Sequence, residues 1–116
     1  MELMTLDRNR LEQLRNMSSE GHPEFLIEMI DLFLEEAERD LGVLKDSLFH
    51  HNADDVRFEA HALRASAMNL GAVRLGLLLR NLEEEASSGD LGDFKQIEAE
   101  YLRVKQVLGI ERNHHA

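Results

Sequence analysis

Residues 23–49, PEFLIEMIDLFLEEAERDLGVLKDSLF, decide the fold. Leu26, Ile30, Phe33, Ala37, Leu41, Leu44 and Leu48 recur at steps of four and three, which sets them along one side of a helix. A stripe that long needs a partner surface over its whole length, as in a bundle. Pro23 suits the first helical position, where its missing N–H costs nothing. Gly42 weakens the helix, and the packed stripe must offset that. The polar His50-His51-Asn52 ends it.

Upstream, the pattern predicts a short helix over about residues 7–17, starting after Asp7 with Leu6 and Leu11 placed as a hydrophobic staple. It stops in Ser18-Ser19-Glu20-Gly21 and lids one end of something larger. Downstream, Asn52 caps a third helix, with Asp54 and Asp55 complementing its amino-terminal dipole. That helix buries Val56, Ala60, Leu63, Ala67 and Leu70 before Gly71 breaks it. A fourth carries Val73, Leu75, Leu78, Leu79 and Leu82 up to Ser87-Ser88-Gly89, and a fifth carries Phe94, Ile97, Tyr101, Val104 and Leu108. Short connections make consecutive long helices antiparallel. The expectation is an all-α, antiparallel up-down four-helix bundle with a short extra N-terminal helix. Its bundle helices span 23–49, 53–69, 72–88 and 91–109, within one domain over residues 1–116.

Composition bounds the function. The 116 residues suit one core, and 43% apolar with 31% charged residues is the balance of a folded soluble chain. Without Cys there is no disulfide, thiol nucleophile or Cys-ligated zinc, which fits a reducing compartment. No run spans a bilayer, since Arg80 and Asn81 interrupt the richest, and the N-terminus lacks the order of a secretory signal. A cytoplasmic protein is expected, and the start at Met1 reads as a free-standing module. The formal charge of −10 argues against nucleic acid and anionic membranes. Residues 57–80 run the other way, with four arginines against the single acid Glu59.

That basic strip contains the candidate site. On a helical wheel, His61 lies about 140° from the buried stripe of the third helix, with Arg57, Phe58, Arg64, Ala65 and Met68 around it. Neutral imidazole is a competent nucleophile, and one ring nitrogen at a time holds the lone pair. Glu83 falls near the level of His61 across the Gly71 turn, where its carboxylate could accept the Nδ1–H bond and leave Nε2 outward. Plainer readings stand beside these. The arginines could only pair with nearby carboxylates, Glu83 could be one solvated member of Glu83-Glu84-Glu85, and Phe58 could pack under the first helix. His50-His51 with Asp54 and Asp55 reads as a loop and cap rather than a metal cluster, and no metal site is expected. His22 beside Pro23 reads as a turn and Asn113-His114-His115 as a frayed tail. With no glycine-rich phosphate loop or ATP motif, autonomous kinase activity is not expected.

Residues 60–72, AHALRASAMNLGA, resemble the signature of histidine-containing phosphotransfer domains of multistep two-component phosphorelays. That family's pattern is His, any residue, Leu, Lys, Gly, Ser or Ala, and an Asn-Leu-Gly-Ala-like close. Leu82-Glu83 also looks like the family's feature on the next helix, and the family fold is a four-helix bundle with a short N-terminal helix. The resemblance implies that His61 accepts a phosphoryl group on Nε2 from a receiver aspartate and passes it to another. Partners would be receiver domains of a hybrid histidine kinase or a response regulator. No cofactor is implied in this chain, because the Mg²⁺ belongs to the receiver. Arg64, where the family has Lys, would screen the phosphoryl charge; Ala65 replaces the usual Gly, and Ser66 would support the site as a donor. Arg57, Phe58, Ala65 and Met68, with Leu or Phe from the second helix, would form the docking surface. A monomer is expected, since each apolar stripe finds its partner within the bundle. A rival reading is a non-catalytic helical adaptor that binds a receiver or kinase domain without phosphotransfer.

Overall fold

The computed structural model describes residues 4–17 and 24–115. Its helices are α1 (Arg8–Asn16), α2 (Glu24–Phe49), α3 (Ala53–Asn69), α4 (Val73–Glu84) and α5 (Leu91–His115). The roles read for Ser18–Gly21, His22 and Pro23 lie outside the described residues. Helices α2 to α5 pack in chain order, α3 against α4 most extensively, and α5 closes back on α2. This is the antiparallel four-helix bundle that the apolar spacing requires.

All seven residues of the α2 stripe are buried, as are the five of α3 and the five of α5. In α4, Leu75, Leu79 and Leu82 are sealed, while Val73 and Leu78 stay half-buried at the rim. Leu44, fully enclosed at mid-bundle, has no room to be lost cheaply. Leu44→Ala is expected to cost about 2–5 kcal/mol in chemical denaturation, as transfer and cavity terms add.

Caps set the helix ends. Asp7 accepts from Asn9 N at 2.9 Å to start α1, and Leu6 and Leu11 are both buried. Asn52 accepts from Asp55 N at 3.2 Å to start α3. At the end of α3, Ala72 N donates to Ala67 O at 2.9 Å and Gly71 N to Met68 O at 3.0 Å. That pair of bonds, with Gly71 at φ +78°, is a Schellman closure. Helix α1 docks on this corner: Asp7 N donates to Gly71 O at 2.8 Å, and Arg10 Nε to Asn69 O at 2.8 Å.

Two boundaries differ from the sequence reading. Helix α4 ends at Glu84 instead of 88, and residues 85–88 form a turn closed by Ser88 N to Glu85 O at 2.9 Å. Ala86 turns inward, and Gly89 passes so close to Leu82 and Leu48 that a Cβ would collide. Asp90 and Asp93 then cap each other's backbone N–H groups at 3.0 and 2.9 Å, opening α5. The α5 helix continues to His115 where a frayed tail was expected. An Arg8–Glu111 ion pair and the two-pronged Arg112–Asp31 pair, at 2.6 and 3.0 Å, hold its last turns to α1 and α2.

Candidate functional site

His61 and Glu83 stand eleven residues on either side of Ala72, so a hairpin that turns at Gly71-Ala72 sets them level. His61 Nδ1 lies 2.8 Å from Glu83 Oε1. Arg64, one turn beyond His61, donates from Nε to Glu83 Oε2 at 2.9 Å. Its Nη2 comes within 3.1 Å of His61 Nδ1. Exposure of the side chains rises from 21% at Glu83 through 31% at Arg64 to 61% at His61. The carboxylate is pinned in the α3–α4 seam and the imidazole projects from it.

The charge state of Glu83 follows from its partners. Partial burial pushes its carboxyl upward, but the hydrogen bonds from His61 and Arg64, with the charge of Arg64, outweigh that and hold it below the ordinary glutamate range. At neutral pH it is a carboxylate, which only accepts. The proton of the short contact therefore sits on His61 Nδ1, and in a neutral ring the lone pair is on Nε2, on the side away from Glu83. Arg64 Nη2 cannot donate to an Nδ1 that already carries hydrogen, so its approach there is cation against ring edge. A carboxyl with a lowered pKa stabilises the fold above the ordinary glutamate range and stops doing so as pH falls through its own lower value. The stability difference between the unmutated protein and Glu83→Gln should thus hold steady near neutrality and shrink in acid below that range, read by thermal unfolding.

The other residues surround this triad unequally. Arg57 donates to Asp54 at 3.1 Å, in an exposed pair. Phe58 is 70% exposed and does not pack under α1. The reason is distance, since α1 docks at Asn69 and Gly71, about 16 Å farther along α3. Ala65 is exposed on the same outward face, so little bulk stands beside the imidazole. On α2, Leu32 and Phe25 are also exposed. Ser66 is half-buried about 140° around the helix from His61, and among the described residues nothing hydrogen-bonds its hydroxyl.

Met68 reveals a feature the sequence reading missed. Its sulfur lies over Gly76 of α4, where any Cβ would collide with it. Met68 and Gly76 each stand four residues from Ala72, the same mirror rule that pairs His61 with Glu83. A glycine inside a helix, level with a methionine across the hairpin, was the signal. The basic strip is also less bare than its composition. Arg57, Arg64 and Arg80 pair with Asp54, Glu83 and Glu84, all from outside residues 57–80, and Arg74 lies 3.8 Å from the buried Glu100.

A helical bundle that holds one nitrogen of a projecting histidine against a carboxylate is a frame able to present the other nitrogen to a partner. Comparison with known proteins agrees. Residues 28–107 match the Hpt domain family, and the chain belongs to it. Histidine-containing phosphotransfer protein 5 of Arabidopsis thaliana is 27% identical over 109 residues, covering 86% of this chain and 68% of that protein. The crystal structure of histidine-containing phosphotransfer protein B from Pseudomonas aeruginosa PAO1 is similar throughout, with a TM-score of 0.86, 26% identity, and coverage of 97% of this chain and 98% of that one. No described helix is long and apolar enough to cross a membrane.

Proposed function

We propose that the chain is a phosphoryl carrier in a multistep phosphorelay, with His61 as the acceptor. The observation that carries this is the Nδ1–Glu83 contact, which leaves the Nε2 lone pair on the side away from Glu83. The Nε2 atom attacks the phosphorus of a receiver aspartyl phosphate. A P–N bond forms, the P–O bond breaks, and the receiver carboxylate leaves as the anion. The ring keeps its Nδ1 proton throughout, and Glu83 offsets the positive charge gained by the ring. The reverse step hands the phosphoryl group to a second receiver aspartate. The Mg²⁺ and most of the electrostatic stabilisation come from the receiver, and this chain supplies nucleophile, orientation and a docking face.

Phe58 and Ala65 give that face its exposed apolar ground, with Met68 two turns beyond His61 on the same helix. Arg57 stands at its rim, and its exposed pair with Asp54 is weak enough to be exchanged for a receiver carboxylate. The carrier is a cytoplasmic monomer that needs no cofactor of its own and binds no nucleic acid. Incubation with a phosphorylated receiver domain tests the reading. Acid-labile, alkali-stable label should move to this chain; stable binding without label would make it an adaptor instead.

A further inference from the structure

His61 Nδ1 is approached by an acceptor and a donor at once: Glu83 Oε1 at 2.8 Å and Arg64 Nη2 at 3.1 Å. A ring nitrogen either donates or accepts, so only one of these contacts is a hydrogen bond at any moment. With Glu83 ionised and in place, Nδ1 holds the proton and Nε2 is nucleophilic. Were the carboxylate withdrawn, Arg64 would donate to Nδ1, the ring proton would pass to Nε2, and the outward nitrogen would lose its lone pair. The nearby ionic groups do not compete for this position: Arg57 bonds Asp54 on its own helix, and Arg80 bonds Glu84 on its own.

From this geometry we infer that Arg64 is a positioning residue with two opposed actions on His61. Through Nε it anchors Glu83, favouring the nucleophilic tautomer; through Nη2 it stands ready to install the inert one when Glu83 leaves. The inference rests on the carrier reading for its functional meaning and goes beyond screening of the phosphoryl charge. Screening acts only once phosphate is present, whereas this action exists in the unphosphorylated protein. It also assigns a consequence to Arg in place of Lys. A planar fork can face the carboxylate with one nitrogen and the ring with another, which a single ammonium does less well.

Glu83→Ala and the double variant Glu83→Ala/Arg64→Ala separate the two actions. The ring nitrogens of His61 are read by ¹⁵N NMR, whose shifts distinguish the two neutral tautomers from the cation, at about pH 8, and phosphoryl uptake is measured in parallel. Glu83→Ala should shift the ring toward the Nε2–H form and slow uptake by about a hundredfold. Removing Arg64 as well should move the ring back toward Nδ1–H and restore about fivefold to tenfold of the rate. Glu83→Gln, which keeps an acceptor oxygen, should stay near the unmutated tautomer, and a dispersed spectrum certifies folding in each case. Equal tautomer ratios in the single and double variants would overturn the inference. So would a double variant slower than the single one, the result that screening alone predicts. Absence of label on the unmutated protein would instead refute the carrier reading, while the tautomer comparison stands by itself.

Discussion

Replacing His61 with glutamine is expected to bring phosphoryl uptake from a phosphorylated receiver to background, a loss of about three orders of magnitude or more. Glutamine approximates the size of the ring but has no basic lone pair to form the P–N bond. Because 61% of the His61 side chain is exposed and a glutamine amide can still donate to Glu83, stability should change by no more than about 0.5 kcal/mol. Receiver binding should survive, since the exposed Phe58 and Ala65 beside it are untouched. The assay is transfer of label, followed on acid- and alkali-treated samples, with thermal unfolding as the control. Uptake that persists in His61→Gln would place the acceptor elsewhere.

A large effect on stability is expected at Gly71. Its φ of +78° costs an ordinary L-residue about 1–2 kcal/mol. A Cβ there would also stand 3.0 Å from Arg10 Cβ and 3.2 Å from both Asp7 Cβ and Asp7 O. These tight contacts fall on the cap and first turn of α1, so α1 must give by a few tenths of an ångström at the corner where it docks. Gly71→Val should therefore lower stability by about 3 kcal/mol and the melting temperature by about 10 °C or more. Gly71→Asn tolerates the dihedral but keeps the tight contacts with α1, so its loss should be smaller and still clear. A Gly71→Val protein melting within about 2 °C of the parent would show that α1 does not bear on this corner. The two substitutions act on different things: His61→Gln removes chemistry and spares stability, whereas Gly71→Val lowers stability through the turn and the corner where α1 docks.

The bundle was legible because its signal is periodic. Seven stripe residues on α2 and five on α3 specify which faces close, and Asn52 and Gly71 mark ends whose backbone chemistry admits few alternatives. The end of α4 was not legible. Glu85 and Ala86 favour helix, so nothing local marks Glu84 as its last residue; in the structure the turn over 85–88 carries Ala86 into the core and Gly89 against Leu82 and Leu48. The continuation of α5 to His115 depends likewise on Asp31 and Arg8, far away in the chain. At the site, counting residues from the turn was enough to bring Glu83 to His61. It did not show that Arg64 would face the same carboxylate, because that depends on the rotamer of a long side chain between two helices. Phe58 was ambiguous for a related reason: its helical face was readable, while the end of the bundle on which α1 sits was not.

The central claim is that Glu83 holds the proton on Nδ1 so that Nε2 of His61 takes the phosphoryl group. The most direct measurement is ¹⁵N and ³¹P NMR of the protein after transfer from a phosphorylated receiver. A single phosphohistidine, with phosphorus coupled to Nε2 of His61 and the proton retained on Nδ1 against Glu83, is the predicted result. Phosphorus on Nδ1, on another residue, or nowhere on the chain would contradict it.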